Sequence, residues 1–184
     1  AIAIAAFTPD YTFFGGSFPG TAGTCTSNLA AATACTIVLQ YNPTTAATHN
    51  DTIAVSYNDG VDPQTENRSI TGIGVLPASL SISETDPYNY GTIAVGSTSG
   101  NVFTISNSGG HIASSLTEIG LALPFQFVGG SYPGTGGTCA ATLNPATSCT
   151  VFIEFAPTTT GLANDEIQLS YDNGAVTDIA TRQV

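Results

Sequence analysis

Between Cys149 and Phe155 the chain reads Cys-Thr-Val-Phe-Ile-Glu-Phe, which sets Val151, Ile153 and Phe155 on one face and Thr150, Phe152 and Glu154 on the other. A period of two is the mark of a strand. The alternation is cleaner over Asp165–Tyr171, where Ile167, Leu169 and Tyr171 are interleaved with Glu166, Gln168 and Ser170. One face of that strand is buried and the other is wet. Shorter apolar runs bounded by Gly, Pro, Asn and Ser predict further strands at Ser79–Ser83, Gly91–Val95, Asn101–Asn107, Leu116–Ile119 and Pro124–Val128. A closing strand is expected over Val176–Val184, with a counterpart at Asn67–Ile73. No stretch carries helical periodicity. The apolar opening, Ala1 to Phe7, reads as a strand too, since it lacks the basic residues of a secretion signal.

The strand pattern is written twice. Gly15-Gly16-Ser17-Phe18-Pro19-Gly20-Thr21-Ala22-Gly23-Thr24-Cys25 returns as Gly129-Gly130-Ser131-Tyr132-Pro133-Gly134-Thr135-Gly136-Gly137-Thr138-Cys139. A constant offset of 114 aligns residues 11–60 with 125–174 without a gap, and 24 of those 50 positions are identical. Self-similarity of this kind means tandem copies of one supersecondary unit. About seven short strands per copy, with turns every eight to twelve residues, describe an immunoglobulin-like β-sandwich. The expected architecture is all-β: two tandem immunoglobulin-like sandwiches, residues 1–76 and 77–184, joined through Gly74-Val75-Leu76-Pro77-Ala78.

Composition narrows the setting. Lys and Arg number 2 against 13 Asp and Glu, giving a formal charge of -11, and lysine is absent. Such a surface repels phosphate backbones and anionic membranes, so nucleic acid is excluded as a partner. No apolar run reaches the length of a membrane helix, and none is expected to insert. The 42% apolar content and the alternating strands argue against disorder. The four cysteines fall into two pairs, Cys25/Cys35 and Cys139/Cys149, each enclosing nine residues. Zinc sites bring ligands in tight Cys-x-x-Cys knuckles, and there are none here. A local disulfide in each copy, and so an oxidising compartment, is the better reading.

Candidate chemistry is sparse. His49 aligns with Ala163 and His111 lies in a turn beside Gly109-Gly110, so both are expected as solvated loop residues. No nucleophile motif accompanies them, and an enzyme is not expected. The Gly-rich loops precede a cysteine loop rather than a helix and are followed by no lysine, so they are not phosphate cradles. Asn58, Asp59, Asp62, Asp172 and Asn173 are oxygen ligands of a kind calcium takes, but tight hairpins require Asn, Asp and Gly at those same places. No cofactor and no metal is assigned. Asp51 and Asp165 read as turn caps, and Tyr57 and Tyr171 as core residues with bonded hydroxyls. Phe18 and Tyr132, each between Ser and Pro-Gly, are the remaining ligand-contact candidates: an aromatic plate on a rigid turn stacks on sugars or partner proteins, or else packs internally.

The ordered string Gly-Gly-Thr-Cys139, Leu143, Ser148-Cys149-Thr150, an alternating strand, Phe155-Ala156-Pro157, Gly161, then Asp165-x-Ile167 and a hairpin resembles the bacterial "choice-of-anchor D" domain. That domain is similar to the immunoglobulin-like modules of the Hydin and abnormal-spindle type. The resemblance covers residues 77–184 and the later two thirds of a preceding copy. It implies strings of domains on large secreted or surface-anchored bacterial proteins, with no catalytic motif to carry over. The expected function is a structural stalk or spacer in an extracellular fibre or adhesin, at the cell surface, associating with itself or with neighbouring repeats of the same polypeptide. The competing reading is a binding module that contacts glycan or a host surface protein through Phe18 or Tyr132.

One departure stands out. Residue 1 aligns with Ser115, so the first copy has no counterpart of Ser79–Ser114 and lacks the opening strands of its sandwich. Three accounts stay open: a fragment of a longer array, strands supplied by another chain, or a shorter self-sufficient first domain.

Overall fold

The computed structural model describes all 184 residues and divides them into two compact units, Ala1–Val75 and Leu76–Val184. Every regular element is a strand. The second unit shows why. Its strands are β6 (Leu80–Ile82), β7 (Ser99–Asn107), β8 (Ser114–Glu118), β9 (Phe125–Phe127), β10 (Ser148–Phe155), β11 (Glu166–Asp172) and β12 (Thr177–Gln183). They form two sheets, ordered β6-β7-β10-β9 and β12-β11-β8, with every pairing antiparallel. The period-two sets of the sequence supply the inner faces. Val151 and Ile153 of β10 meet Phe103 and Ile105 of β7 and Ile167 and Leu169 of β11 in one core, all six at 0% exposure. Burying each such side chain stabilises the fold by about 2 kcal/mol.

The first unit repeats the same elements at the offset of 114, with two omissions. Its strands are β1 (Ala3–Ile4), β2 (Tyr11–Phe13), β3 (Leu39–Tyr41), β4 (Thr48–Asn58) and β5 (Pro63–Ile73), in sheets ordered β1-β4-β5 and β2-β3. These stand for β8, β9, β10, β11 and β12. Nothing stands for β6 or β7. The consequence is read residue by residue: Ile37, Leu39, Ile53 and Val55 are only half-buried, whereas their counterparts Val151, Ile153, Ile167 and Leu169 are fully enclosed. Leu29 is 46% exposed and its counterpart Leu143 is 5% exposed. The all-β, two-sandwich expectation holds at this coarse level, with one sandwich closed and the other open.

Some sequence expectations need correction. Gly91–Val95 is not a strand. Gly91 at φ 78° and Gly96 at φ 83° interrupt extension on either side of it, and the segment is instead tethered by a bond from the Gly96 amide to the Pro157 carbonyl. Of Ala1–Phe7 only Ala3–Ile4 is a strand, pairing with Val55 and Ser56. The strand expected from Asn67 begins at Pro63, because the full length of β4 is there to pair with it.

Asn107 ends the strand expected over Asn101–Asn107, and at 2% exposure it also holds one end of the closed unit. Its side-chain oxygen accepts from the Ser79 amide at 3.1 Å and the Gly109 amide at 3.0 Å. Its side-chain nitrogen donates to the carbonyls of His111 at 2.9 Å and Leu143 at 3.1 Å. All four capacities of the amide are used, on backbone groups of four residues that border the core. We expect Asn107→Ala to lower the unfolding free energy of the second unit by about 3 kcal/mol, because four backbone groups lose their partner at once. Urea denaturation followed by tyrosine fluorescence checks this, with an unchanged midpoint as the contrary result.

Candidate functional site

The repeated Gly-Gly-Ser-aromatic-Pro-Gly loop is built the same way in both units. It leaves β2 or β9, doubles back against β10 or the residues that lead into β3, and ends at the first cysteine. Gly20 and Gly134 both sit at φ 90°, and a Cβ there would collide with the carbonyl of Val38 or Phe152. Only glycine allows that approach. The Val38 amide then donates to the Pro19 carbonyl and the Phe152 amide to the Pro133 carbonyl, each at 2.8 Å. Disulfides Cys25–Cys35 and Cys139–Cys149 close the corner, each with Cα atoms 4.8 Å apart. Beside them the Thr24 and Thr36 hydroxyls meet at 3.1 Å, and those of Thr138 and Thr150 at 3.2 Å. Cross-linking so short a loop restricts the unfolded chain by about 3 kcal/mol in the chain-entropy model.

The aromatic of this loop turns inward. Phe18 packs edge-on against Phe13 with centroids 5.6 Å apart, and Tyr132 packs against Phe127 at the same distance. Both are half-buried. The Tyr132 hydroxyl is buried without a hydrogen-bond partner, and burial pushes its pKa up to about 12. A residue poised to grip a sugar would present its ring face and a hydrated hydroxyl. Here the ring serves the strand beneath it.

The repeated aspartates reach further than a turn cap. Asp51 accepts from the amide of Thr8 at 2.6 Å and from its hydroxyl at 3.0 Å, while its other oxygen takes the Thr52 amide at 2.7 Å. Asp165 does the same to Ala122 at 2.7 Å and Glu166 at 2.8 Å. Each latches the loop that precedes β2 or β9. Tyr171 is a core residue whose hydroxyl donates to Asp178 and accepts from the Leu80 amide, both at 3.2 Å. Half-buried Tyr57 has no counterpart of Leu80 to bond, so that part of the expectation fails in the first unit for want of β6.

In the hairpins, Asn58 Oδ1 accepts the Gly60 amide and Asp59 Oδ1 those of Val61 and Asp62, all at 2.8 Å. Asp172 and Asn173 repeat the pattern with Gly174, Ala175 and Val176. Those oxygens are engaged by turn amides, and no group of three or more His, Cys, Asp or Glu side chains converges on a metal position. His49 is not the solvated loop residue expected from the sequence. It lies on β4, half-buried, with Nδ1 2.8 Å from Asp10 Oδ2 and Nε2 3.1 Å from the Thr45 carbonyl. The Thr45 hydroxyl stands at 3.5 Å, so the nitrogen a triad would use as base faces a carbonyl more closely than a nucleophile. His111 is exposed, its Nδ1 2.9 Å from the Ile112 carbonyl.

Sequence reasoning missed one concavity. A cleft of about 570 Å³ in the second unit lies between Pro87–Val95 and Pro157–Asn164, with Phe125 and Phe155 stacked at its floor 4.9 Å apart. Tyr90 lines it and spends its hydroxyl on the Ile153 carbonyl at 3.1 Å. The cleft could not be read from the chain, because one of its walls is the segment whose apolar run imitates a strand.

No family model matches the chain, and no curated protein matches it. Among solved structures it is similar to a protein of unknown function from Porphyromonas gingivalis W83, at 11% identity and a TM-score of 0.38, over 79% of this chain and 69% of that one.

Two outcomes follow from this geometry. Tyr132→Phe, which installs the ring type that the first copy already carries at Phe18, should raise the stability of the second unit by about 1 kcal/mol by removing an unpaired buried hydroxyl; a stability loss in thermal unfolding contradicts it. For Asp51, burial raises the pKa, but the bonds from Thr8 and Thr52 outweigh it and hold the group below its ordinary 3.8. A depressed carboxylate stabilises the fold above 3.8 and loses that contribution as pH falls through the folded value. The Thr8 and Thr52 amide resonances should therefore titrate with a midpoint below 3.8, and Asp51→Asn should abolish the step.

Proposed function

We propose that this chain is a spacer: disulfide-pinned, immunoglobulin-like repeats that serve as the stalk of a secreted or surface-anchored bacterial fibre or adhesin. The strand orders β6-β7-β10-β9 and β12-β11-β8 support the immunoglobulin-like reading, since they correspond to the ABED and CFG sheets of a constant-type domain. The resemblance to choice-of-anchor D domains points the same way. The observation that carries the functional reading is how the repeated residues are used. In both copies the cysteines bond each other, the loop aromatic packs on its own strand, and the aspartate latches its own loop. What is repeated is spent on holding each unit together. Disulfides fit an oxidising, extracellular setting.

A spacer bears tension, and the corner disulfide sets its extension. When the intact oxidised chain is pulled from its ends, the length released by the second unit should fall short of the reduced chain by about 30 Å, the span of the ten-residue separation held by Cys139–Cys149. Equal extensions would remove the mechanical role of the bond. On a glycan array the same protein should show no saturable binding. Retention on glycan that is lost in Tyr132→Ala would favour a binding module instead.

A further inference from the structure

The chain contains one Asn-Gly pair, Asn173-Gly174, in the turn between β11 and β12. In this dipeptide the glycine amide nitrogen, unhindered by a side chain, reaches the asparagine Cγ and closes a succinimide. The turn cannot dispense with the pair. Gly174 sits at φ 94°, and a Cβ there would stand 2.6 Å from His111 Nδ1. At position 173 a side-chain oxygen accepts the amides of Ala175 and Val176, both at 2.9 Å, a task for which Asn and Asp are the residues of choice.

Both reacting groups are nevertheless engaged. The Gly174 amide donates to Asp172 Oδ1 at 2.8 Å. Taking the proton from that amide would set a second negative charge against the carboxylate. Asn173 is 7% exposed and fixed through its main chain as well: its amide donates to the Val176 carbonyl at 3.0 Å and its carbonyl accepts from the Ala78 amide at 2.9 Å. The first copy carries the aspartyl form of the same pair, Asp59-Gly60, and repeats the device. There Asn58 Oδ1 accepts the Gly60 amide at 2.8 Å.

We propose that Asn173 is a deamidation site that Asp172 holds closed in the folded protein. Once it opens, the Gly174 nitrogen bonds to Cγ of Asn173 and gives up its proton, the bond from Cγ to Nδ2 breaks, and Nδ2 takes that proton and leaves as ammonia. One water then opens the succinimide at either carbonyl. The two products differ in what they do to the fold. An aspartate at position 173 keeps the turn, as Asp59 does by accepting the amides of Val61 and Asp62 at 2.8 Å. The isoaspartyl product reroutes the main chain through Cβ and Cγ and turns the carbonyl that holds Ala78, at the entry to β6, into a side-chain carboxylate. The device operates whether or not the chain is a spacer, and loss of either reading leaves the other standing.

The test incubates the intact, oxidised 184-residue protein in mildly alkaline buffer and follows aspartate and isoaspartate at position 173 by peptide mapping. The folded protein should convert far more slowly than the same chain in urea. Asp172→Ala should accelerate conversion in the folded state at least about tenfold, the factor that loss of one charge-assisted bond is worth. Asp172→Asn, which keeps an accepting oxygen as Asn58 does in the first copy, should stay near the original rate. A urea midpoint for each variant establishes that it is folded during the incubation. Equal rates for the original protein and folded Asp172→Ala overturn the proposal, and so does an Asp172→Asn rate as fast as that of Asp172→Ala. A folded original chain that converts as fast as the unfolded one overturns it without any variant.

Discussion

Strand β10 needs a neighbour on each edge, and the rest of the structure follows from whether it has them. Where β7 is present, Phe103 and Ile105 fill the space between the sheets, and every inward side chain of β10 and β11 is buried. Where it is absent, the same positions are half-buried and a row of backbone groups faces water. Backbone pairing and apolar burial are therefore one requirement here, because a single strand supplies both.

Around that requirement each unit is locked by short-range devices that do not depend on the missing strands. The disulfide corner, the glycine-mediated approach of the loop to the long strand, and the aspartate latch are present in the open unit as in the closed one. Other features do depend on them. Asn107, the Leu80 amide that Tyr171 binds, and the Ile82 carbonyl that Arg182 reaches all lie on β6, on β7 or at their ends. The first unit adds a device of its own, the Asp10–His49 pair, at positions occupied by Pro124 and Ala163 in the second. It ties the start of β2 to β4 where the wider sandwich is lacking.

What an exposed first unit means for an acidic chain is a matter of solubility as well as assembly. Thirteen carboxylates keep like molecules apart, which opposes casual edge-to-edge pairing. General stickiness is thereby restrained.

The sequence by itself determined the strands that alternate, the tandem repeat and the local disulfides, since each is a matter of period, offset or short spacing. Val151, Ile153, Ile167 and Leu169 declare their faces in the order of the residues alone. Tertiary structure decided the rest. Gly91–Val95 has a strand's composition but becomes a cleft wall, because pairing depends on a neighbour that local pattern does not specify. Asn107 reads from the sequence as the end of a strand, until the fold brings Ser79 and Leu143 to its side chain beside the nearby Gly109 and His111. The loop aromatics were ambiguous between ligand contact and packing for the same reason: which way a ring turns is settled by what lies beneath it, and Phe13 and Phe127 are brought there only by the fold.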